Sequence, residues 1–515
     1  MSHHQAQLGF ETNEPLAYPF KDRTPFHTGE NIFYMVETTV YRKNKINLKD
    51  YDYQRDIQNR TLMAQFTEAD VELLEEIICS PTKILLTTLS SQIDKTVPEV
   101  LTALERLAPT ALFKQDGDVL LIDKEVRKYF ETELVRFEDN FTPGMDFLHS
   151  LLKKVSLDVL LSWYPIPRTS NSIFQSLIDK YFRKPQTFQR HLTELDLEDP
   201  VLNGIKTDLS LAPDHKLYAA NIKEKYQLTD TAFEEAVLHL EFNFICCLCY
   251  EKKGAVWVET VTFFQEWKDY LSFMRESRPK EIEQLDQIQS IRTEDFAFTR
   301  DLSTLLALAL KKKIYIELDH KERWVFERQT LSLVSECYHG FNLATEEAQE
   351  WFLDYFCRMV QKILLVKLAT VSERQLIPAD HAEEWLAFSI DKLALNLYKL
   401  TLKHYPFSEF PSEICSERII HEVEKSIARI IDSSWVFFED FMKGAIVPIG
   451  EENKMQLKQT GRHWKYVRPS YSAAEQALIK KVIYDWFFEA GIVKTGVYQG
   501  KECLSITSFG KTVFG

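Results

Sequence analysis

The chain repeats one order of local signals, and that order constrains its fold more than any other feature. In the first copy a helix starts near Thr67, with Val71, Leu74, Ile77 and Ile78 forming one apolar stripe, and Pro81 breaks it. Residues 84–93 read as a short helix. Thr96-Val97-Pro98-Glu99 then has the form of a capping box, with proline in the first turn. The helix it opens carries Val100, Leu101, Leu104 and Leu107 on one face, and Pro109 ends it. Leu112-Phe113-Lys114, the turn Gln115-Asp116-Gly117-Asp118 and residues 119–122 predict a hairpin, because Asp-Gly favours a tight turn.

The order returns. Residues 218–226 read as a short helix and Thr231-Ala232-Phe233-Glu234 as a second capping box, opening a helix with Phe233, Ala236, Val237 and Leu240. Residues 245–250 and 255–258 flank a turn at 251–254, and a helix with Phe263, Trp267 and Leu271 follows. A third copy has a short helix at 331–337. Thr345 caps a helix with Trp351, Phe352, Tyr355, Phe356 and Met359, and residues 364–368 pair with 375–377. A fourth, truncated copy ends the chain: a helix over 473–489 stopped by Gly491, then strands 492–498 and 502–507 across Gln499-Gly500. Helix, helix–turn–helix, hairpin is the winged-helix order. The second helices start near residues 96, 231 and 345, so the spacing is unequal and this is no strict solenoid.

The expected class is α+β, helix-dominated, with tandem winged-helix-like units and helical inserts. The divisions are an extended arm over 1–60, with a strand at 31–41, then a first unit over 61–145. An insert with the second unit covers 146–280, the third unit 281–400, and a helical, winged-helix-like unit 401–515. Three to four domains is also what 515 residues predict, at roughly 100–200 residues each.

The net charge of −15 disfavours a molecule that coats nucleic acid over its whole surface, although it leaves room for a local basic face. Only 15 glycines are present, which argues against large phosphate- or cofactor-cradling loops, and no cofactor is expected. No apolar run approaches the roughly 20 residues that span a bilayer, and residues 1–15 lack the apolar core of a signal peptide. Eight cysteines in 515 residues do not form a disulfide framework. A cytoplasmic protein without a membrane partner is expected.

Ile377-Pro378-Ala379-Asp380-His381 followed by Trp385-Leu386-Ala387 places a wing strand, a proline turn and a helix in succession. Ser434-Trp435-Val436 with Phe438 and Phe441 forms a tryptophan segment upstream of the last hairpin, and Leu504-Ser505-Ile506-Thr507-Ser508-Phe509-Gly510-Lys511 closes the chain. These segments resemble bacterial winged-helix proteins related to the N-terminal, helicase-associated region of XPB-type helicases, over about the last 200 residues and more loosely before them. The resemblance implies DNA-linked roles by analogy. No ATPase motor accompanies it.

Motifs of catalysis fail on spacing. Gly510-Lys511-Thr512 has the tail of a phosphate loop, but Ser505 stands where the first glycine belongs. His421-Glu422 lacks the second histidine of a zincin helix, because Lys425 occupies that position. Cys246 and Cys249 have metal-ligand spacing without a second pair nearby, so core packing is expected. No catalytic or metal residues are assigned.

A winged helix that reads bases sets its second helix in the major groove. Here those helices offer Glu99, Thr102, Glu105 and Arg106; then Asp230, Glu234, Glu235 and His239; then Glu346, Glu347, Gln349, Glu350 and Asp354. Acidic surfaces repel phosphates. One stretch differs. Lys454, Lys458, Arg462, His463, Lys465 and Arg468 interleave with Trp464, Tyr466 and Tyr471, and Lys480 and Lys481 follow. Basic residues neutralise phosphates and aromatics stack on bases, so Lys458, Arg462, His463, Trp464, Lys465, Tyr466, Arg468, Lys480 and Lys481 are the candidate nucleic-acid contacts. The other reading is a solvated basic loop over an acidic body. Two functions follow: a non-enzymatic DNA- or transcription-associated protein using this segment, or an adaptor whose acidic units dock other proteins.

Overall fold

The computed structural model describes residues 44–167, 172–254, 256–290, 292, 294–319, 323–336, 346–404, 410, 416–449, 453–461 and 463–514. The strand expected at 31–41, Thr345 and Arg462 lie outside these residues. Helix accounts for 56% and strand for 17%, so the helix-dominated α+β class is correct.

The end of the stretch read as an extended arm is helical. Helix α1 (Tyr53–Met63) forms because Ile57, Arg60 and Met63 fall on one side, where all three are buried. The first unit follows as α2 (Glu68–Cys79), β1 (Lys83–Leu85), α3 (Leu86–Gln92), α4 (Val97–Leu107), β2 (Phe113–Asp116) and β3 (Val119–Ile122). Its antiparallel sheet has the order β1-β3-β2. Residues 84 and 85, read as helix, belong to β1, paired with β3. The capping box is present: the Thr96 amide and hydroxyl donate to Glu99 Oε2 at 2.8 and 2.7 Å. Helices α5 (Lys124–Glu133), α6 (Met145–Leu152), α7 (Leu157–Trp163), α8 (Ile173–Leu177) and α9 (Pro185–Glu194) lead to the next unit.

The second unit repeats the order with α10 (Pro200–Leu211), β4 (Lys216–Tyr218), α11 (Ala219–Tyr226), α12 (Asp230–Phe242), β5 (Cys247–Lys253) and β6 (Val256–Thr262), in sheet order β4-β6-β5. Its helix is capped two residues earlier than expected. Thr229 accepts from the Ala232 amide at 3.2 Å, and Glu234 is buried instead of capping. Helix α13 (Gln265–Glu276) closes this half, and β7 (Gln289–Ser290) begins the next.

The third unit comprises α14 (Ala297–Lys311), β8 (Ile316–Leu318), β9 (Trp324–Phe326), α15 (Arg328–Glu336), α16 (Glu346–Leu365), β10 (Ala369–Ser372) and β11 (Gln375–Pro378). Its first strand carries a small hairpin, and that strand pairs with the last through Tyr315 and Gln375. Helices α17 (Ala382–Leu386) and α18 (Ile390–His404) lead onward.

The fourth unit is complete, not truncated. Its parts are α19 (Glu417–Ile427), β12 (Val436–Phe437), α20 (Phe438–Lys443), α21 (Ala473–Lys481), β15 (Val493–Tyr498) and β16 (Lys501–Ile506), before a closing α22 (Ser508–Phe514). The sheet order β12-β16-β15-β7 repeats the pattern of the first two units and borrows β7 as an extra edge. The unit looks truncated in sequence because a hairpin, β13 (Gln456–Thr460) and β14 (His463–Val467), is inserted between its second and third helices.

Two cores result. One is built from residues 48–273 and the other from 298–506. The exception is the inserted hairpin: Met455 and Leu457 are buried in the first core, with Trp464 and Tyr466 packed against it.

Candidate nucleic-acid interface

The helix that would enter a groove is buried to a different extent in each unit. Helix α12 lies against α1 and its own sheet. Its Glu234 and Glu241 point into a buried charge network. Arg60 donates to Glu234 at 2.7 Å and to Glu241 at 2.8 Å, while Arg136 reaches Glu241 at 2.7 Å and Glu133 at 2.9 Å. Lys154 joins Glu133 at 2.6 Å to Asp56 at 3.2 Å. Burial alone would raise the Glu241 carboxyl, but Arg136 and Arg60 hold it well below the usual range. Burial pushes Glu234 up to about 8 despite Arg60, with Glu259 adding to the shift. The expected acidic outer face of this helix is thus partly an interior one.

Helix α16 lies against the chain that follows α21. The chain past α21 continues through a π-helical turn, Val482–Phe487, to Glu489. Arg358 and Lys362 of α16 are buried against it: Arg358 meets Asp485, and Lys362 meets Glu489 at 2.8 Å. Burial lowers the Lys362 ammonium and raises the Glu489 carboxyl. Helix α4 leaves Glu99, Thr102 and Glu105 exposed, and Arg106 is bound to Asp70 at 2.6 Å.

The basic stretch is a hairpin rather than a loop. Register places Lys458 opposite Lys465, Leu457 opposite Tyr466 and Gln459 opposite Trp464. Gly461, at φ 65°, supplies the turn conformation that other residues adopt at a steric cost. Side chains alternate between faces, so Lys458, Lys465, Thr460 and His463 share the outer face, where all four are exposed. Among the described residues neither lysine has a carboxylate partner.

The inner face carries the aromatics, which therefore do not stack as a free platform. Trp464 Nε1 donates to Asp146 at 3.2 Å and its ring meets Phe174 edge-on. The Tyr466 hydroxyl donates to the Phe182 carbonyl at 2.9 Å. Arg468 is exposed and its guanidinium lies 4.3 Å from the Phe273 ring. Lys480 pairs with Glu502 at 2.7 Å and Lys481 with Asp485 at 3.3 Å, so both are turned toward their own unit. The structure therefore brings Lys458, His463 and Lys465 together on one face, sets Arg468 against Phe273 of α13 and leaves Lys480 and Lys481 apart. Sequence reasoning did not name Lys184. It is exposed and follows Arg183, whose carbonyl accepts from the Leu457 amide at 2.9 Å, which sets it next to Lys458.

The rejected motifs have structural roles. Gly510 lies in α22, where an added Cβ would come within 2.2 Å of the Ile492 carbonyl oxygen. His421 bonds Glu424 at 2.7 Å, and Cys246, Cys247 and Cys249 are buried. A polar cleft of about 670 Å³ beside β5 and β6 includes Lys216 and Glu251, which pair with each other at 2.7 Å. Among the described residues no helix is long and apolar enough to cross a membrane. Compared with known proteins, the chain matches no family model, no curated protein and no solved structure.

Proposed function

We propose that the chain is a non-enzymatic, DNA- or transcription-associated protein whose tandem winged-helix-like units serve as scaffold, with the outer face of the β13–β14 hairpin contacting the phosphate backbone. The observation that carries this is the register of Lys458 opposite Lys465 without a carboxylate between them. Like charges directly opposite on a ribbon destabilise it, and a bound polyanion removes that repulsion. With Trp464 and Tyr466 turned inward, contact is to phosphates and not to stacked bases, so binding is insensitive to sequence. The likeness to helicase-associated winged-helix proteins supports the same reading by analogy.

The test is fluorescence anisotropy with labelled duplex DNA across a salt series. Affinity falls steeply with salt, and Lys458→Gln with Lys465→Gln lowers the slope of log affinity against log salt by about 2, one per lost phosphate contact. No binding at low salt sinks the proposal.

A second reading rests on α4, whose exposed Glu99 and Glu105 suit a basic protein partner. In that case Glu99→Gln with Glu105→Gln abolishes capture of the partner, while the lysine pair is indifferent to it.

A further inference from the structure

The hairpin that offers lysines to solvent also fastens the two halves of the molecule together. Its stem is held in the fourth unit: Asn453 donates to Glu475 at 2.6 Å and accepts from the Ser470 amide, and the Tyr471 hydroxyl donates to the Val447 carbonyl. Its inner face belongs to the other half. Leu457 and Met455 are buried there, Tyr466 packs by Tyr270 with ring centres 5.8 Å apart, and β14 lies against α6 and α13.

A two-stranded ribbon on its own is marginally stable in water. Once lifted from α6 and α13, β13 and β14 have no third strand and no apolar support, so their register is lost. Lys458 and Lys465 face each other only while the hairpin is docked. A polyanion spanning both lysines therefore binds the docked state and has little to bind in the undocked one. We propose that polyanion binding on the outer face locks the inner face onto the N-terminal half, so that the hairpin is a ligand-tightened clamp. This rests on the reading of the hairpin as a phosphate contact.

The full-length chain is tested with a mixed-sequence DNA duplex by hydrogen exchange read at the Leu457 amide, which crosses between the halves to the Arg183 carbonyl. If only the docked state binds, duplex at about a hundred times its Kd suppresses undocking roughly a hundredfold, and exchange at this amide slows by up to that factor. Lys458→Gln with Lys465→Gln removes the effect of duplex and leaves the free protein's exchange equal or slower, because the repulsion is gone. Trp464→Ala, at a residue facing away from the ligand, weakens duplex binding; if that variant does not fold, Tyr466→Phe removes only the bond to Phe182 and weakens binding in the same direction. Duplex binding with unchanged exchange at Leu457 overturns the clamp and leaves the phosphate contact standing. Absence of duplex binding at low salt overturns both.

Discussion

Arg136 and Glu241 form an ion pair at 2.7 Å in which neither side chain reaches solvent. The two residues are 105 positions apart in the chain, so the bond ties the end of the first unit to the second unit's third helix. Arg136 also donates to the Leu248 carbonyl at 2.6 Å, and the Leu248 amide donates to Glu241 at 2.8 Å, which closes a ring of bonds around the pair. Buried ions need this much compensation, because desolvation removes several kcal/mol per charge.

Breaking the pair from one side is expected to be severe. Glu241→Gln leaves Arg60 and Arg136 facing a neutral group in a dry site, and the expected loss is about 3–5 kcal/mol of folding stability. Urea denaturation followed by circular dichroism measures it. A loss below 1 kcal/mol, on the order of an exposed ion pair, would mean that water reaches this network.

The same network predicts a pH dependence. The Glu234 carboxyl rises from an ordinary 4.5 to about 8 on folding, chiefly through burial. The folded state therefore binds more protons than the unfolded state between those values. Stability contributed by this group is complete below about 4.5 and is lost as pH rises toward about 8. Glu241, held low, has the opposite sign and its contribution is lost in acid. Glu234→Gln should flatten the decline between pH 5 and 8, read as urea midpoints for both proteins at about those two values. An unchanged decline in the variant excludes Glu234 as its source.

Arg358 and Lys362 separate structural from binding charge. Both are buried against the helix that ends at Glu489. Arg358→Ala with Lys362→Ala should lower the denaturation midpoint by an amount equivalent to about 3 kcal/mol or more, and leave the salt slope of duplex binding as it was. A reduced slope would place them at the DNA instead.

Gly491 closes the helix after Glu489 at φ 71°, where an added Cβ would lie 2.7 Å from the Asp295 carbonyl oxygen. Gly491→Ala combines a left-handed backbone with a close approach to a backbone atom and should cost more than about 1 kcal/mol. Thermal unfolding tests this, and an unshifted midpoint counts against the packing of 295 on 491.

What the sequence made legible was local. The Thr96–Glu99 box, the Asp116-Gly117 turn and the stop at Gly491 each depend on residues within one turn of each other. The same pattern misled at Glu234, because its fate depends on Arg60, 174 residues away. The opening strands were missed: Lys83–Leu85 and Lys216–Tyr218 are three residues long, too short to display an alternation. In the candidate site the basic residues were found, but the aromatics among them were read as stacking partners. The signal that separates them was present. Leu457, Tyr466 and Trp464 alternate with Lys458 and Lys465 at a period of two, which divides a ribbon into an apolar and a charged face.

The bond from Trp464 to Asp146 joins residues 318 positions apart. During synthesis the surface that receives the hairpin, formed by α6 and α13, leaves the ribosome long before the hairpin does, and domains made first generally fold first. For that interval the surface around Phe174, Phe182 and Tyr270 stands uncovered, and the nascent protein carries a sticky patch that its own later segment must find. Seating of β13–β14 is thus a late step of assembly, and the stage at which an interrupted chain is most exposed to aggregation.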